Sequence, residues 1–134
     1  MWRPFQGVTL IELILTIAIV GILVSVSYPA MSHYVRESRR SEARSELSHI
    51  AGLQEQFFLQ TQRYASLSDL GLSTAADNSY LTENGYYRIT VAVSASAFLL
   101  TAMAAGSQSS DLDCLMFSLA QDGSRDSSSH DRCW

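Results

Sequence analysis

An apolar run near the N-terminus constrains this chain more than any other feature. From Val8 to Tyr28 the sequence holds twenty-one residues with a single charge, on Glu12. At about 1.5 Å per residue, a helix of this length is roughly 30 Å long, which matches the hydrocarbon core of a bilayer. A charged residue inside such a span costs about 2.5 to 3.5 kcal/mol on the insertion scale, so Glu12 favours a helix that is retained and uses its charge.

A cleavable secretory signal is the alternative interpretation of this run. Ser25-Val26-Ser27 has the small-x-small form of a signal cleavage site, and the run lies where a signal peptide would. Cleavage there would release a secreted domain that begins near Tyr28. Glu12 argues against this alternative, because a discarded signal has no use for an ionisable group.

Composition limits what the remainder of the chain can be. The 134 residues have room for one domain with a modest core. Thirteen acidic residues outnumber nine basic residues, all of them arginine, and the net charge is -4. A general electrostatic affinity for nucleic acid is therefore disfavoured, and nucleic acid is not an expected partner.

No group of residues predicts catalysis, a cofactor or a metal site. The histidines are far apart in sequence, no serine lies in a nucleophile elbow, and no glycine-rich loop would hold a phosphate. Aspartates near the C-terminus lack the spacing of an EF-hand calcium loop. The residues concerned are His33, His49, His130, Asp122, Asp126 and Asp131.

The start of the apolar run resembles a known processing signal. Gly7 followed by Val8-Thr9-Leu10-Ile11-Glu12 is similar to the class III signal of type IV pilins and pseudopilins. The resemblance implies that a prepilin peptidase removes residues 1–7 by cutting between Gly7 and Val8, and then methylates the new N-terminus. Val8 departs from the family pattern, in which the first mature residue is usually phenylalanine.

The resemblance also implies how the helix would assemble. The new ammonium at Val8 would lie four residues before Glu12, on the same helix face. In the family, this glutamate is thought to meet the N-terminal amine of a neighbouring subunit, and a buried charge without a partner costs several kcal/mol. Gly21 and Pro29 fall where pilin helices bend or partly unwind. Pairing of Glu12 with its own amine remains the alternative.

Two features disagree on which side of the membrane the C-terminal part lies. Arginines are more numerous after the run than before it, which by the positive-inside rule would place the C-terminal part in the cytoplasm. The two cysteines, with eighteen residues between them, instead favour a disulfide in an oxidising compartment. We give more weight to the cysteines and the resemblance, and place residues after Tyr28 in the periplasm. The residues concerned are Arg3, Arg36, Arg39, Arg40, Arg44, Cys114 and Cys133.

A second helical segment, residues 30–62, is predicted to be amphipathic. Its apolar residues recur at helical spacing and form one stripe that would dock a head domain: Ala43, Leu47, Ile50, Ala51, Leu53, Phe57 and Phe58. Arg36, Arg39 and Arg40 project onto the same side of the helix as the stripe, nearer the membrane, and should lie below the head. With Arg44 they form an arginine row that is either a solvated face or a contact to acidic residues of an adjacent subunit or to phospholipid headgroups.

The rest of the chain predicts a small sheet. Residues 63–85 read as a connecting loop, and three strands follow within residues 86–120 with alternating apolar positions. Asp122-Gly123 predicts a turn after the last strand. The predicted fold is α+β: a helix that is membrane-spanning over residues 8–28, and a head of residues 29–134 in which an antiparallel sheet covers the helix. A disulfide between Cys114 and Cys133 would close the C-terminal loop, as in the type IV pilin fold.

These features favour a filament subunit, most similar to minor pilins of the PilE kind. We expect a role in assembling or priming a type IV pilus, and so in adhesion and twitching motility. The expected partners are other pilins, prepilin peptidase and, before assembly, the inner membrane, which the chain would cross once before it enters the extracellular pilus. The alternatives are a pseudopilin of type II secretion and a competence pilin that binds DNA through Arg88, Arg125 and Arg132.

Overall fold

The computed structural model describes residues 7–128 and 132–134, without the side chains of Pro29 and Ala30. The chain divides into two compact units, Met1–Val35 and Arg36–Trp134. The leader residues 1–6, His130 and Asp131, which enter the sequence predictions, lie outside the described residues.

One long helix, α1 (Leu10–Thr61), runs through both units. It contains a stretch that is long and apolar enough to cross a membrane, and none of that stretch is buried in the structure. The helix continues through Gly21 and Pro29 without interruption. It ends where Gln62 adopts a positive φ of 58°, a left-handed conformation typical of the residue after a helix.

The second half of α1 carries the predicted apolar stripe into the core of the second unit. Ala43, Leu47 and Ile50 are completely buried. Ala51 and Phe58 are partly buried and pack against the same core. The periodicity of the sequence therefore identified the docking face of the helix correctly.

Five strands form one antiparallel sheet whose spatial order equals their order in the chain. The three predicted strands are confirmed as the three central strands of this sheet. Two short edge strands, Tyr80–Leu81 and Arg125–Ser127, were not predicted, so the sheet extends beyond the expected range of residues 86–120. The strands are β1 (Tyr80–Leu81), β2 (Tyr87–Val93), β3 (Phe98–Ala104), β4 (Met116–Ala120) and β5 (Arg125–Ser127).

The inner face of the sheet completes the core. Alternate residues of the central strands are buried against the helix stripe, as the period of two requires: Tyr87, Ile89, Phe98, Leu100, Ala102, Phe117 and Leu119. The turn predicted at Asp122-Gly123 is present, with Gly123 at a φ of 83° and the Ser124 amide donating to Asp122 Oδ1 at 2.9 Å. The fold is α+β, as expected.

Residues 63–85 are more ordered than a plain connecting loop. Tyr64 and Leu67 are buried, and the Gln54 side chain bonds the backbone of Ala65 in both directions. Gln54 Nε2 donates to the Ala65 carbonyl at 2.7 Å, and the Ala65 amide donates to Gln54 Oε1 at 2.8 Å. The side chain of the buried Gln54 thus satisfies both the amide and the carbonyl of Ala65. It holds the start of the loop against α1.

A disulfide joins Cys114, just before β4, to Cys133 near the C-terminus, as predicted. Replacing Cys114 with serine should lower the melting temperature of the oxidised chain by more than about 10 °C, because closing a loop of this size contributes about 3 kcal/mol in the chain-entropy model. Calorimetry of the wild-type and variant chains under oxidising conditions measures the effect. Equal melting temperatures would contradict a stabilising bridge.

Candidate functional site

The first turn of α1 places its acidic residue beside a capping threonine. Thr9 precedes the first helical residue, and its Oγ1 accepts a hydrogen bond from the Glu12 amide at 3.3 Å. This is one half of a capping box, in which the side chain of the residue before the helix bonds the third helical amide. This role of Thr9 was not predicted, although the Thr-x-x-Glu spacing that marks it is visible in the sequence.

The bond between Gly7 and Val8, where cleavage is expected, lies just ahead of this cap. Residues 7–9 are outside the helix. A Val8 ammonium would therefore extend from the helix start on a short non-helical segment. The Glu12 carboxylate is exposed, and the described residues contain no ion-pair partner for it.

The remainder of the run presents apolar surface in every direction. All its large apolar side chains, from Val8 to Tyr28, are between 50% and 77% exposed. The hydroxyl groups of Thr16, Ser25 and Ser27 donate to backbone carbonyls of the helix itself, at 2.7 to 2.9 Å. A helix that is apolar all round is stable only when lipid or other apolar helices surround it.

Three of the four arginines in the row, Arg39, Arg40 and Arg44, contact the head rather than lying below it. Arg40 is 8% exposed and makes two bonds of 2.7 Å to Asp111, from Nε to Oδ2 and from Nη2 to Oδ1. For Arg40 the predicted position below the head is therefore wrong. The helical projection gave the correct side of α1, but the loop between β3 and β4 reaches further along the helix than the apolar stripe indicates.

This loop holds Asp111 in a buried polar network. It begins with a short 3-10 helix, Gly106–Ser110, in which Gln108 is fully buried. Gln108 Nε2 donates to Asp111 Oδ2 at 3.0 Å and to the Tyr87 hydroxyl at 3.1 Å. Burial raises the pKa of Tyr87 to about 12, and hydrogen bonding to Asp111 raises the pKa of Arg40. Arg40 is therefore charged, and Tyr87 is neutral, at physiological pH.

Two other arginines of the row also contact the head. Arg44 Nη2 donates to Glu37 at 2.6 Å, and its Nη1 donates to the Cys133 carbonyl at 3.2 Å. Arg39 lies over the Tyr86 ring, 4.3 Å from its centroid, and donates to Ser107 Oγ at 3.1 Å. Both side chains remain partly exposed, so contacts of these two residues with other subunits stay a prediction.

Arg36 differs from the other three members of the row. Its side chain is exposed, and within residues 7–128 and 132–134 it forms no ion pair. An arginine that the head does not occupy can still bind a carboxylate or a phosphate in two-pronged geometry. The predicted subunit contact therefore remains open at Arg36.

Among the arginines suggested as DNA contacts, Arg88 lies on β2 and Arg125 on β5, with two strands of the sheet between them. Arg88 bonds Ser79 at 2.8 Å and lies 3.8 Å from Asp77. Arg125 lies over the Trp134 ring at 5.0 Å, and Arg132 is exposed. Neither of these last two forms an ion pair with a described carboxylate.

No metal site emerges from the described part of the chain. Histidine, cysteine and acidic side chains form no group of three there that could hold an ion. Asp122 instead accepts hydrogen bonds from its neighbour Ser124, which lower the pKa of its carboxyl group. Asp126 Oδ1 accepts a bond from the Ser127 amide at 2.8 Å. Local turn bonds thus account for these two aspartates.

Comparison with known families gives two matches that together span most of the chain. Residues 29–118 match the family described as "Type IV minor pilin ComP, DNA uptake sequence receptor". Residues 2–28 match the prokaryotic N-terminal methylation motif. The first match covers the arginine row, β2, β3 and the start of β4, and the second covers the apolar run with Glu12.

Individual relatives are pilus proteins. The chain is 33% identical to the type IV major pilin protein PilA of Myxococcus xanthus (strain DK1622), over 56% of this chain and 34% of that protein. It is 37% identical to the fimbrial protein EcpC of Eikenella corrodens, over 67% of this chain and 55% of the relative. A fimbrial protein of Moraxella nonliquefaciens is 34% identical over 64% of this chain and 53% of its own length. The chain thus spans between about a third and about half of these relatives.

Proposed function

The chain belongs to the type IV minor pilin family, and from this premise we propose that it works as a subunit of a type IV pilus that takes part in assembling the filament. Processing between Gly7 and Val8 would free the amine, and the apolar helix would then leave the inner membrane to pack among other pilin helices. Adhesion and twitching motility would follow from the pilus that contains it.

The observation that carries this proposal is that the Glu12 carboxylate, the one charge in the apolar run, is exposed. It lies in the first turn of α1, within the run from Val8 to Tyr28 whose large apolar side chains are all exposed, and the described residues offer it no cationic partner. A carboxylate in an apolar environment is stable only when it is paired, so an amine from an adjacent subunit is the natural complement. In the same filament, Arg36 would meet an acidic residue of a neighbouring head.

Pilus preparations test the proposal directly. We expect the protein to co-purify with sheared pili, with a mass reduced by residues 1–7 and an N-methylated Val8 at its N-terminus. Recovery with components of a secretion system instead would favour the pseudopilin alternative. A mature chain that starts near Tyr28 would contradict a filament role altogether.

We propose DNA reception by the head as a second candidate function, because the family matched by residues 29–118 is described as a DNA uptake sequence receptor. The net charge of -4 argues only against a general attraction. Dissolved salt screens charges that lie more than about 8 to 10 Å apart, so a phosphate bound to the head would respond mainly to the charges next to it. Arg125 and Arg132 could serve it, because no described carboxylate neutralises them.

Binding of duplex DNA to the full chain in detergent micelles tests this second function. We expect fluorescence anisotropy to show binding at low salt that weakens steeply as salt is added, because phosphate contacts release counterions. The double variant Arg125→Gln/Arg132→Gln should weaken binding by about tenfold or more, at a typical 1 kcal/mol or so per charged contact.

Arg63→Gln is the matched control for this experiment. Arg63 is also exposed, but Asp69 lies 3.4 Å from it and already neutralises it. Because exposed ion pairs contribute little, its replacement should leave the affinity for DNA within about twofold of that of the wild type. No DNA binding by the wild-type chain at low salt would dismiss the second function and leave the assembly role untouched.

A further inference from the structure

Both cysteine segments are fastened to one face of α1 by neighbouring arginines. Arg40 and Arg44 lie one helical turn apart, and Glu37 accepts a hydrogen bond from each, at 3.2 and 2.6 Å. Arg40 binds Asp111, which precedes Cys114 by three residues, and Arg44 binds the carbonyl of Cys133 itself. The three charged residues therefore span the two ends of the disulfide loop.

Arg40 positions Cys114 indirectly, through Asp111. The Cys114 amide donates to the Asp111 carbonyl at 3.2 Å, which closes a tight turn between them. The Asp111 side chain is 1% exposed and is fixed on two sides, by Arg40 and by Gln108. When Arg40 binds Asp111, the tight turn between Asp111 and Cys114 therefore fixes where Cys114 lies along α1.

We propose that Arg40 and Arg44 act as a template that brings Cys114 and Cys133 together before they are oxidised. The disulfide would then secure an arrangement that the helix has already selected, rather than create it. The two arginines are positioning residues in this reaction, since their contacts are with Asp111 and the Cys133 carbonyl and not with the sulfur atoms.

The reaction that benefits is the second of two thiol–disulfide exchanges. In the first, the thiolate of one cysteine attacks an external disulfide, forms a mixed disulfide and releases one external thiol. In the second, the thiolate of the other cysteine attacks the cysteine sulfur of that mixed disulfide, which forms the Cys114–Cys133 bond and releases the second external thiol. Two protein thiols lose two electrons to the external disulfide, and only the second exchange requires the two cysteines to be adjacent.

A competing template exists in the hairpin of β4 and β5. Ser128 Oγ accepts hydrogen bonds from the amides of Leu115 and Met116, at 3.1 and 3.2 Å, and so also draws the ends of the loop together. If the hairpin alone aligned the cysteines, loss of the arginine contacts would not affect bridge formation. The experiment must therefore separate the two contributions.

The test measures the effective concentration of one cysteine for the other in the full chain. The chain, in detergent micelles, is equilibrated in mixtures of reduced and oxidised glutathione, and alkylation then fixes the ratio of bridged to open protein. We expect Arg44→Gln to lower the effective concentration by about tenfold, since a hydrogen bond from a charged donor typically contributes that factor or more. Arg44→Lys, which retains a cationic donor, should recover part of the loss.

Two further variants separate the template from general stability. Arg40→Met/Asp111→Leu removes the ion pair without leaving a buried charge, and it should also lower the effective concentration by about tenfold while the circular dichroism of the open form is retained. Arg63→Gln replaces an exposed arginine outside the network, so the effective concentration in this variant should equal that in the wild type. The proposal is overturned if Arg44→Gln and Arg40→Met/Asp111→Leu both stay within twofold of the wild type, or if Ser128→Ala alone produces the whole effect.

Discussion

A chain carrying Glu12→Ala is expected to enter the membrane and to be processed as the wild type is, yet to be missing from assembled pili. Removing the carboxylate makes the apolar run more hydrophobic, so insertion is not impaired. It also removes the partner that a neighbouring N-terminal ammonium needs in the apolar filament core, at a cost of several kcal/mol. Incorporation, measured as the fraction of the protein recovered in sheared pili, should fall by at least about tenfold.

Two matched variants separate charge from other properties of the site. Glu12→Gln keeps the size and polarity of the side chain, so it should fail as Glu12→Ala does if charge pairing is the cause. Thr16→Ala removes a polar group one turn further along, where the hydroxyl bonds only the Leu13 carbonyl, and it should be incorporated normally. Normal incorporation of Glu12→Ala would remove the charge-pairing argument.

The second large effect is expected at Asp111. Replacing it with alanine leaves the buried Arg40 guanidinium with Glu37 as its one ion-pair partner among the described residues, and breaking one side of a buried pair typically costs about 3 to 5 kcal/mol. For a head of this size, the melting temperature should fall by more than about 12 °C, which thermal unfolding of the oxidised chain would measure.

The chain offers an exposed neighbour as the control for this variant. Asp113 lies two residues away, and its replacement by alanine should change the melting temperature by no more than a few degrees. Arg40→Met/Asp111→Leu should recover most of the stability, because an apolar pair of similar volume carries no desolvation cost. An Asp111→Ala chain as stable as the Asp113→Ala chain would show that the buried pair does not stabilise the head.

The sequence allowed prediction of those features that local periodicity encodes. The helix stripe of Ala43, Leu47 and Ile50 and the three central strands repeat at the period of their own secondary structure, so a short window is enough to identify them. The edge strand β5 was missed because its three residues are polar and show no alternation. A bond of 2.7 Å from Trp134 Nε1 to the Asp126 carbonyl fixes that strand from the C-terminus.

The position of the arginines could not be predicted in the same way. Arg40 and Asp111 are 71 residues apart, and no local pattern links a guanidinium to one carboxylate among thirteen acidic residues. The projection around the helix was correct, whereas the distance that the loop after β3 extends along α1 depends on the folded head. The clamp from Gln54 to Ala65 was missed for a similar reason, since a buried glutamine resembles a surface glutamine in sequence.

The structure also changes the meaning of the arginine count after the apolar run. That count favoured a cytoplasmic C-terminal part, in conflict with the cysteines. In the folded head, Arg40 is neutralised by Asp111, and Arg44 by Glu37. Their positive charge thus serves to hold the head on its helix, which gives a reason for a cationic segment in this position.

Because the strands are paired in the order in which they occur in the chain, each hairpin of the sheet forms between segments that are close in sequence. Such a meander needs no early encounter between distant parts of the chain, and topologies of this kind fold quickly. The contacts that join distant parts of the chain are those between the sheet and α1, where Arg40 and Asp111 are 71 residues apart and Arg44 and Cys133 are 89 residues apart.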